Sequence, residues 1–385
     1  MKRNFAFGWF VVMMLTAVTP AVLGQPAGPV RFHVDCDGGG PKLSRAIELA
    51  QPGDTIEVRG TCRERVTVTR GPLILEGGGN AILDGAGVGP NEKEFNGLLT
   101  VDGAHGVTIR GWLIRNSMGE GIFGTHGASM LIEDTVVEKN FTGIGLSNSA
   151  AEVIDTATRY NSIGLDVYSA STVIFRGEID ISRNTTESLT LNGKSLAEIR
   201  GAHLQVNNNL AGGVIISAES SMVIFGFQAS QASRLTTNNN QGPGIVIGQS
   251  QLFVAGAAFA PGAIGITSSG NAGPGVLLVN GNISSPFGAS RLVVENNPIG
   301  MQFLQGSTAT IIGGMNVRNN ALAGIEADNA TGLTFVSIPP NPSAIQSNGT
   351  DVILRFGTKS TINGVAVGKI ICDATVLSRG TTVCP

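Results

Sequence analysis

Apolar and polar residues alternate with a period of two along most of this chain, in short runs broken by Gly, Asn, Ser or Pro. In the run 163–168, Ile163, Leu165 and Val167 fall on one side while Gly164, Asp166 and Tyr168 fall on the other. That is the pattern of a half-buried strand. Further strands follow at Met130-Leu-Ile-Glu, Glu152-Val-Ile-Asp, Thr172-Val-Ile-Phe and Gln251-Leu-Phe-Val. Residues 41–51 alone have helical spacing, with Leu43, Ala46, Ile47 and Ala50 on one face and Pro52-Gly53 as the stop.

The strands belong to a repeat. An Asn followed within a few residues by Gly and an apolar strand returns at Asn116, 140, 161, 184, 208, 239, 271, 297, 320 and 348, a mean spacing of about 26. Each unit holds three short strands with no helix between them, which predicts an all-β solenoid, a single-stranded parallel β-helix. Stacked coils then repeat at about the 4.8 Å spacing between neighbouring strands. Gly and Asn supply the positive φ that corners demand, and Asn at one corner of successive coils can form a hydrogen-bonded ladder. Five of the Asn residues (140, 184, 282, 329, 348) also begin Asn-x-Ser/Thr sequons.

Composition narrows the class. Gly accounts for 54 of 385 residues and charged residues for only 14%, against averages of about 7% and 25%. The hydrophobic fraction of 42% argues against disorder, and the absence of a strict G-X-Y period excludes collagen. A net charge of −3 with no Lys/Arg run leaves no footprint for nucleic acid.

Met1-Lys2-Arg3, the apolar run Phe5 to Val18, Pro20 and the small residues before Gln25 read as a signal peptide over 1–24. An uncleaved anchor is the competing reading. Cleavage would place the domain 25–385 in the extracellular space or periplasm, with no membrane segment remaining. The four cysteines cluster by end, which favours Cys36–Cys62 and Cys372–Cys384 disulfides, the latter closing a cap over about 370–385. The spacings and His partners of a zinc site are missing.

The run from Leu43 through Gln51-Pro-Gly-Asp-Thr-Ile56 to Cys62-Arg-Glu64, followed by Val66-Thr-Val and Leu73-Ile-Leu-Glu-Gly, resembles the opening of right-handed parallel β-helix proteins of the pectin-lyase-like superfamily. The resemblance extends over essentially the whole mature chain and implies a right-handed coil with an N-terminal capping helix. It does not choose an activity, because that superfamily includes lyases, hydrolases, epimerases, esterases and non-catalytic proteins. The polygalacturonase pattern is missing, since there is no Asp-Asp pair and Ala104-His105-Gly106 is a loose echo of G-H-G. The D-P-H-E signature of mannuronan epimerases is absent too. The resemblance to pectate lyases would imply Ca²⁺, but no carboxylate cluster of the six to eight ligands it needs is visible, so no cofactor and no metal are expected.

Registering the strand after each Asn gives two outward columns: Phe123/Thr125, Gly145/Ser147, Asp166/Tyr168, Thr190/Asn192, Ile215/Ser217, Val246/Gly248, Leu277/Val279, Gln302/Leu304 and Glu326/Asp328. The N-terminal half is polar and the C-terminal half largely apolar. Uronate elimination needs a base at C5 and a cation on the carboxylate. Tyr168 or His126 as base, Lys194 as neutraliser, Asp166 beside them, and Asn192 and Thr190 as substrate contacts form the sharpest catalytic set; ordinary solvated polar residues are the plainer reading. A second outward set, Glu133, Asp155, Arg176 and Arg200, reads as charge pairing between coils. The outward stripe Ile215, Val246, Leu277, Val279 and Leu304 is a candidate lateral interface, for self-association or for another cell-surface component, unless the longer units cover it.

Two functions remain open at this level. One is a secreted β-helix engaging polysaccharide along its groove, with lyase chemistry favoured over hydrolysis. The other is a non-catalytic structural or adhesive solenoid at a cell surface.

Overall fold

The computed structural model describes residues 28–89, 97–226, 232–256, 264–286, 290–330, 332–339, 342–382 and 384. The signal segment 1–24 lies outside these residues. Residues 227–231 and 257–263, which belong to the two longest units, and 287–289 also lie outside them.

Short strands ending at Gly, Asn and Ser corners stack into two long sheets. Face 1 is a sheet of thirteen described strands from Val66–Val68 to Ile370–Cys372. The second sheet, of twenty-three described strands, bends along its length and supplies faces 2 and 3. One coil shows the order: Ile163–Tyr168 on face 1, then Thr172–Ser182 crossing from face 2 to face 3, where the register shifts between Phe175 and Gly177. The paired strands are parallel, and an isolated antiparallel bridge joins Ile362 to Thr382 near the C-terminus.

Period two becomes a core because every second residue points into the coil. On face 2, Ile56, Leu75, Ile109, Ile132, Val153, Phe175, Ile199 and Ile224 lie in register on successive coils and are fully buried. Each such side chain contributes about 1.5–3 kcal/mol relative to exposure. On face 1, Gly145, Asp166, Thr190, Ile215, Val246, Leu277, Gln302 and Glu326 lie in one register, the column expected from the sequence.

The Asn corner is a ladder of Asn140, 161, 184, 209, 240, 271, 297, 320 and 348. The Oδ1 of each Asn accepts the backbone N–H of the residue one coil earlier, as from Asn140 to Asn161 at 2.9 Å. Its Nδ2 donates to a carbonyl of the earlier coil. This corrects three expected anchors: Asn209 and Asn240 replace Asn208 and Asn239, and Ser117 stands where Asn116 was expected. The positive φ falls on the residue before the ladder, as at Lys139, Tyr160, Arg183, Asn208 and Asn239. Within the triplets 207–209 and 238–240, composition cannot tell the strained Asn from the hydrogen-bonding one.

Glycine is required beside the ladder because the coils approach closely there. A Cβ on Gly164 would lie 2.5 Å from the Ser188 carbonyl oxygen and 2.7 Å from Asn184 Nδ2. The helix spans Leu43–Leu49, shorter than 41–51, and buries Leu43, Ala46 and Ile47. Its N-terminus is capped from the coil below, where Glu64 accepts from the Leu43 and Ser44 amides at 2.9 and 3.2 Å. Disulfides join Cys36 to Cys62 and Cys372 to Cys384.

Candidate functional site: an acid cluster on face 1

The outward column of face 1 has a gap at Gly145, between Phe123 and Asp166. The neighbouring side chains close over it: a Cβ on Gly145 would sit 3.0 Å from Glu120 Cγ and 3.3 Å from Phe123 Cδ2. Glu120, which begins its strand, thus leans along the stack toward the coil of Asp166 and Tyr168. Glu187 occupies the strand position of Glu120 three coils on, beside Ile163.

Glu120, Glu187 and the Tyr168 phenol all come within electrostatic range of Asp166, and Tyr168 within that of Glu120 as well. Burial pushes Glu120 above the ordinary carboxylate range, Asp166 raises it further, and Arg65 opposes the shift. Burial also raises Asp166, against the Thr190 hydroxyl that donates to its Oδ1. Glu187 is raised by burial and by Asp166. The Tyr168 phenol is raised by burial, then by Glu120, with Ser147 opposing and Asp166 adding to the rise. One oxygen of Glu120, Oε2, is buried without a hydrogen-bond partner. Desolvated acids held near one another retain protons at higher pH than free carboxylates, which suits acid–base work near neutrality.

The structure therefore brings Asp166, Tyr168 and Thr190 together and adds Glu120, Glu187 and Arg65. It pairs the other expected residues elsewhere. His126 is exposed on the corner after face 1, with Nδ1 2.6 Å from Asp102 Oδ1. Lys194 is exposed and lies 3.5 Å from Glu219. Asn192 is exposed just past its strand, its backbone N–H donating to the Val167 carbonyl. Tyr160, the second tyrosine of this coil, lies outside the cluster under the Arg183 guanidinium, 5.4 Å from the ring centroid.

Glu120 and Glu187 escaped the sequence reading because both precede the alternating strand, at the exit from the Asn corner. Their shared offset from the corner was the available signal, masked by Thr142 and Ile163 on the coils between. The second outward set pairs with partners other than those expected, across coils except for Arg200, whose partner lies on its own strand. Glu133 and Glu76 flank Arg110, Arg176 bonds Glu152, Arg200 meets Glu198, and Asp155 accepts the Glu178 amide. Among the described residues no group of three or more His, Cys, Asp or Glu side chains is placed to hold a metal ion.

Residues 96–259 match the family model described as a right handed beta helix region. No curated protein matches the chain in sequence. The A-module of a mannuronan C-5 epimerase from Azotobacter vinelandii is similar over 87% of this chain and 93% of its own, at 14% identity and a TM-score of 0.45. A pectate lyase is similar over 90% of this chain and 79% of its own, at 14% identity and TM-score 0.34. The catalytic domain of an α-1,3-glucanase in complex with nigerose is similar over 94% and 70%, at 11% identity and TM-score 0.38.

Proposed function

Taking the chain as a right-handed parallel β-helix of the pectin-lyase-like superfamily, we propose that it is a secreted protein that engages polysaccharide along face 1 and hydrolyses glycosidic bonds with its acid cluster. The observation that carries this reading is the burial of Glu120 and Asp166 on one stack, both carboxyls raised and each adding to the environment of the Tyr168 phenol. Glycoside hydrolysis uses two carboxyl groups, one protonating the leaving oxygen and the other acting as base or nucleophile. Glu120, desolvated with an unpartnered oxygen, suits the acid. Asp166, whose carboxylate form is favoured by the Thr190 hydroxyl, suits the base. Glu187 and Tyr168 line the same surface.

The surroundings favour an uncharged or amino-sugar polymer over a polyuronate. Acids outnumber cations around Tyr168, so a uronate carboxylate would meet repulsion where elimination needs neutralisation. The Tyr168 phenol, raised by burial, also stays protonated at neutral pH and offers no phenolate to take the C5 proton. Lys194, the expected neutraliser, is engaged with Glu219. Secretion agrees with the two disulfides; among the described residues no helix is long and apolar enough to cross a membrane.

The test is reducing-end release from xylan, glucomannan, laminarin and chitosan, beside ultraviolet detection of unsaturated products from polygalacturonate and alginate. Hydrolysis of an uncharged or amino polymer, reduced by roughly 10²–10⁴ in Glu120→Gln and Asp166→Asn, is expected. Unsaturated uronate products, or rates unchanged in both variants, would overturn the proposal. A non-catalytic adhesive solenoid is the second reading, favoured by Ile215, Val246 and Leu277 in the same column as Asp166. It predicts no release from any polymer.

A further inference from the structure

We propose that the corner between faces 1 and 2, from Glu219 to Thr308, is a separate binding groove for a single uncharged polysaccharide strand lying along the helix axis. The groove has a volume of about 620 Å³. Two files of side chains border it. Glu219, Gln249 and Asn280 form one file at left-handed corner positions, with φ of 63°, 52° and 50°. Ser221, Gln251, Asn282 and Thr308 form the other, in register on face 2.

The floor between the files is kept low by small residues. Gly281 admits no side chain, since a Cβ there would lie 2.4 Å from the Ile247 carbonyl oxygen. The second file is braced along the stack: Gln251 Nε2 donates to Ser221 Oγ at 2.9 Å, and Asn282 Nδ2 to Thr308 Oγ1 at 2.6 Å. Those bonds hold the amide groups in fixed positions, which lowers the ordering cost of binding.

The chemistry of the lining selects the ligand. Among the described residues lining the groove Glu219 is the one ionisable side chain, and it is paired with Lys194 at one end. The remainder is amide, hydroxyl and glycine, which offers donors and acceptors to hydroxyl groups and no charge to an ionic polymer. On the face 1 side, the outward apolar Val279 and Leu304 stand one residue before the corner, supplying nonpolar contact for the C–H face of a pyranose ring. Successive members of each file are one coil apart, about 4.8 Å, comparable to the advance of one sugar in an extended glycan. One amide or hydroxyl set thus meets each sugar. The proposal shares with the preceding one the premise of a glycan ligand; it uses none of the acid cluster.

The experiment is affinity electrophoresis of the mature protein in gels containing hydroxyethyl cellulose, glucomannan or laminarin, with polygalacturonate as the anionic control. Wild type and Asn316→Ala, a change at an outward position of face 3 outside both proposed sites, should be retarded equally by at least one neutral polymer and not by polygalacturonate. The double variant Gln251→Ala/Asn282→Ala should weaken binding by roughly tenfold or more, as loss of its hydrogen bonds implies. If that variant does not fold, the near-isosteric Gln251→Glu/Asn282→Asp, which removes the bracing donors and adds charge, should show the same loss. No retardation of wild type, stronger retardation by polygalacturonate, or undiminished binding in a folded double variant would overturn the groove. Absent hydrolysis with groove-dependent binding intact would refute only the acid-cluster reading.

Discussion

Removing one amide from the middle of the Asn ladder should cost several times what an outward Asn costs. Asn209 is fully buried. Its Oδ1 accepts from Asn184 N at 2.9 Å and from Asn184 Nδ2 at 3.2 Å, and its Nδ2 donates to the Ile181 carbonyl at 3.2 Å and to Asn240 Oδ1 at 3.0 Å. In Asn209→Ala, Asn184 Nδ2 keeps the Thr158 carbonyl and Asn240 Oδ1 keeps the Asn209 amide. The buried Asn184 N–H loses this acceptor, and the Ile181 carbonyl loses this donor. An orphaned buried group costs about 1–3 kcal/mol; with the second lost bond and the cavity, the sum is about 2–5 kcal/mol. Asn316→Ala, on the outward side of face 3, should stay within about 0.5 kcal/mol. Urea unfolding followed by circular dichroism measures both, and hydrogen exchange at Asn184 tests the location, because neighbouring coils of a solenoid bear the loss. Equal costs for the two variants, or unchanged exchange at Asn184, would refute the ladder as a source of stability.

The acid cluster carries a pH signature. Glu120, Asp166 and Glu187 all have carboxyls raised by burial, so the stabilisation from holding their protons is complete below the unfolded range near pH 4 and is lost as pH rises through their folded values. Asp166→Asn should therefore flatten the fall in Tm between acid and neutral pH; a slope as steep as wild type would contradict the burial argument. Gly164→Ala should destabilise by roughly 1–3 kcal/mol or more, because the methyl meets backbone at 2.5 Å, and a Tm within one degree of wild type would count against close approach at the ladder. Glu64→Ala removes both helix-capping bonds and should cost about 1 kcal/mol, with faster exchange at Leu43 and Ser44 as the local readout.

Much of the fold was legible because each coil repeats the same local bargain between inward apolar and outward polar positions. The face 1 register through Gly145, Asp166, Thr190 and Ile215 followed from period two and the Asn marker, as did both disulfides from the clustering of cysteines by chain end. The site was legible only in part. Asp166, Tyr168 and Thr190 were readable as outward neighbours. Glu120 was not, since it precedes the alternating strand and reaches its partners by leaning over Gly145 on the next coil, a side-chain direction that the repeat does not report. His126 and Lys194 looked available for catalysis until stacking set each beside an acid, Asp102 and Glu219.

By itself the sequence determined the coil: alternation chooses which side chains are buried, and a recurring Asn-Gly corner sets where the strand turns. Tertiary structure decided which of the tandem Asn residues carries the ladder and which acids share a site. Those outcomes depend on the alignment of one coil over the next and on the space each side chain leaves above its neighbour, distances across the stack that the linear order does not contain.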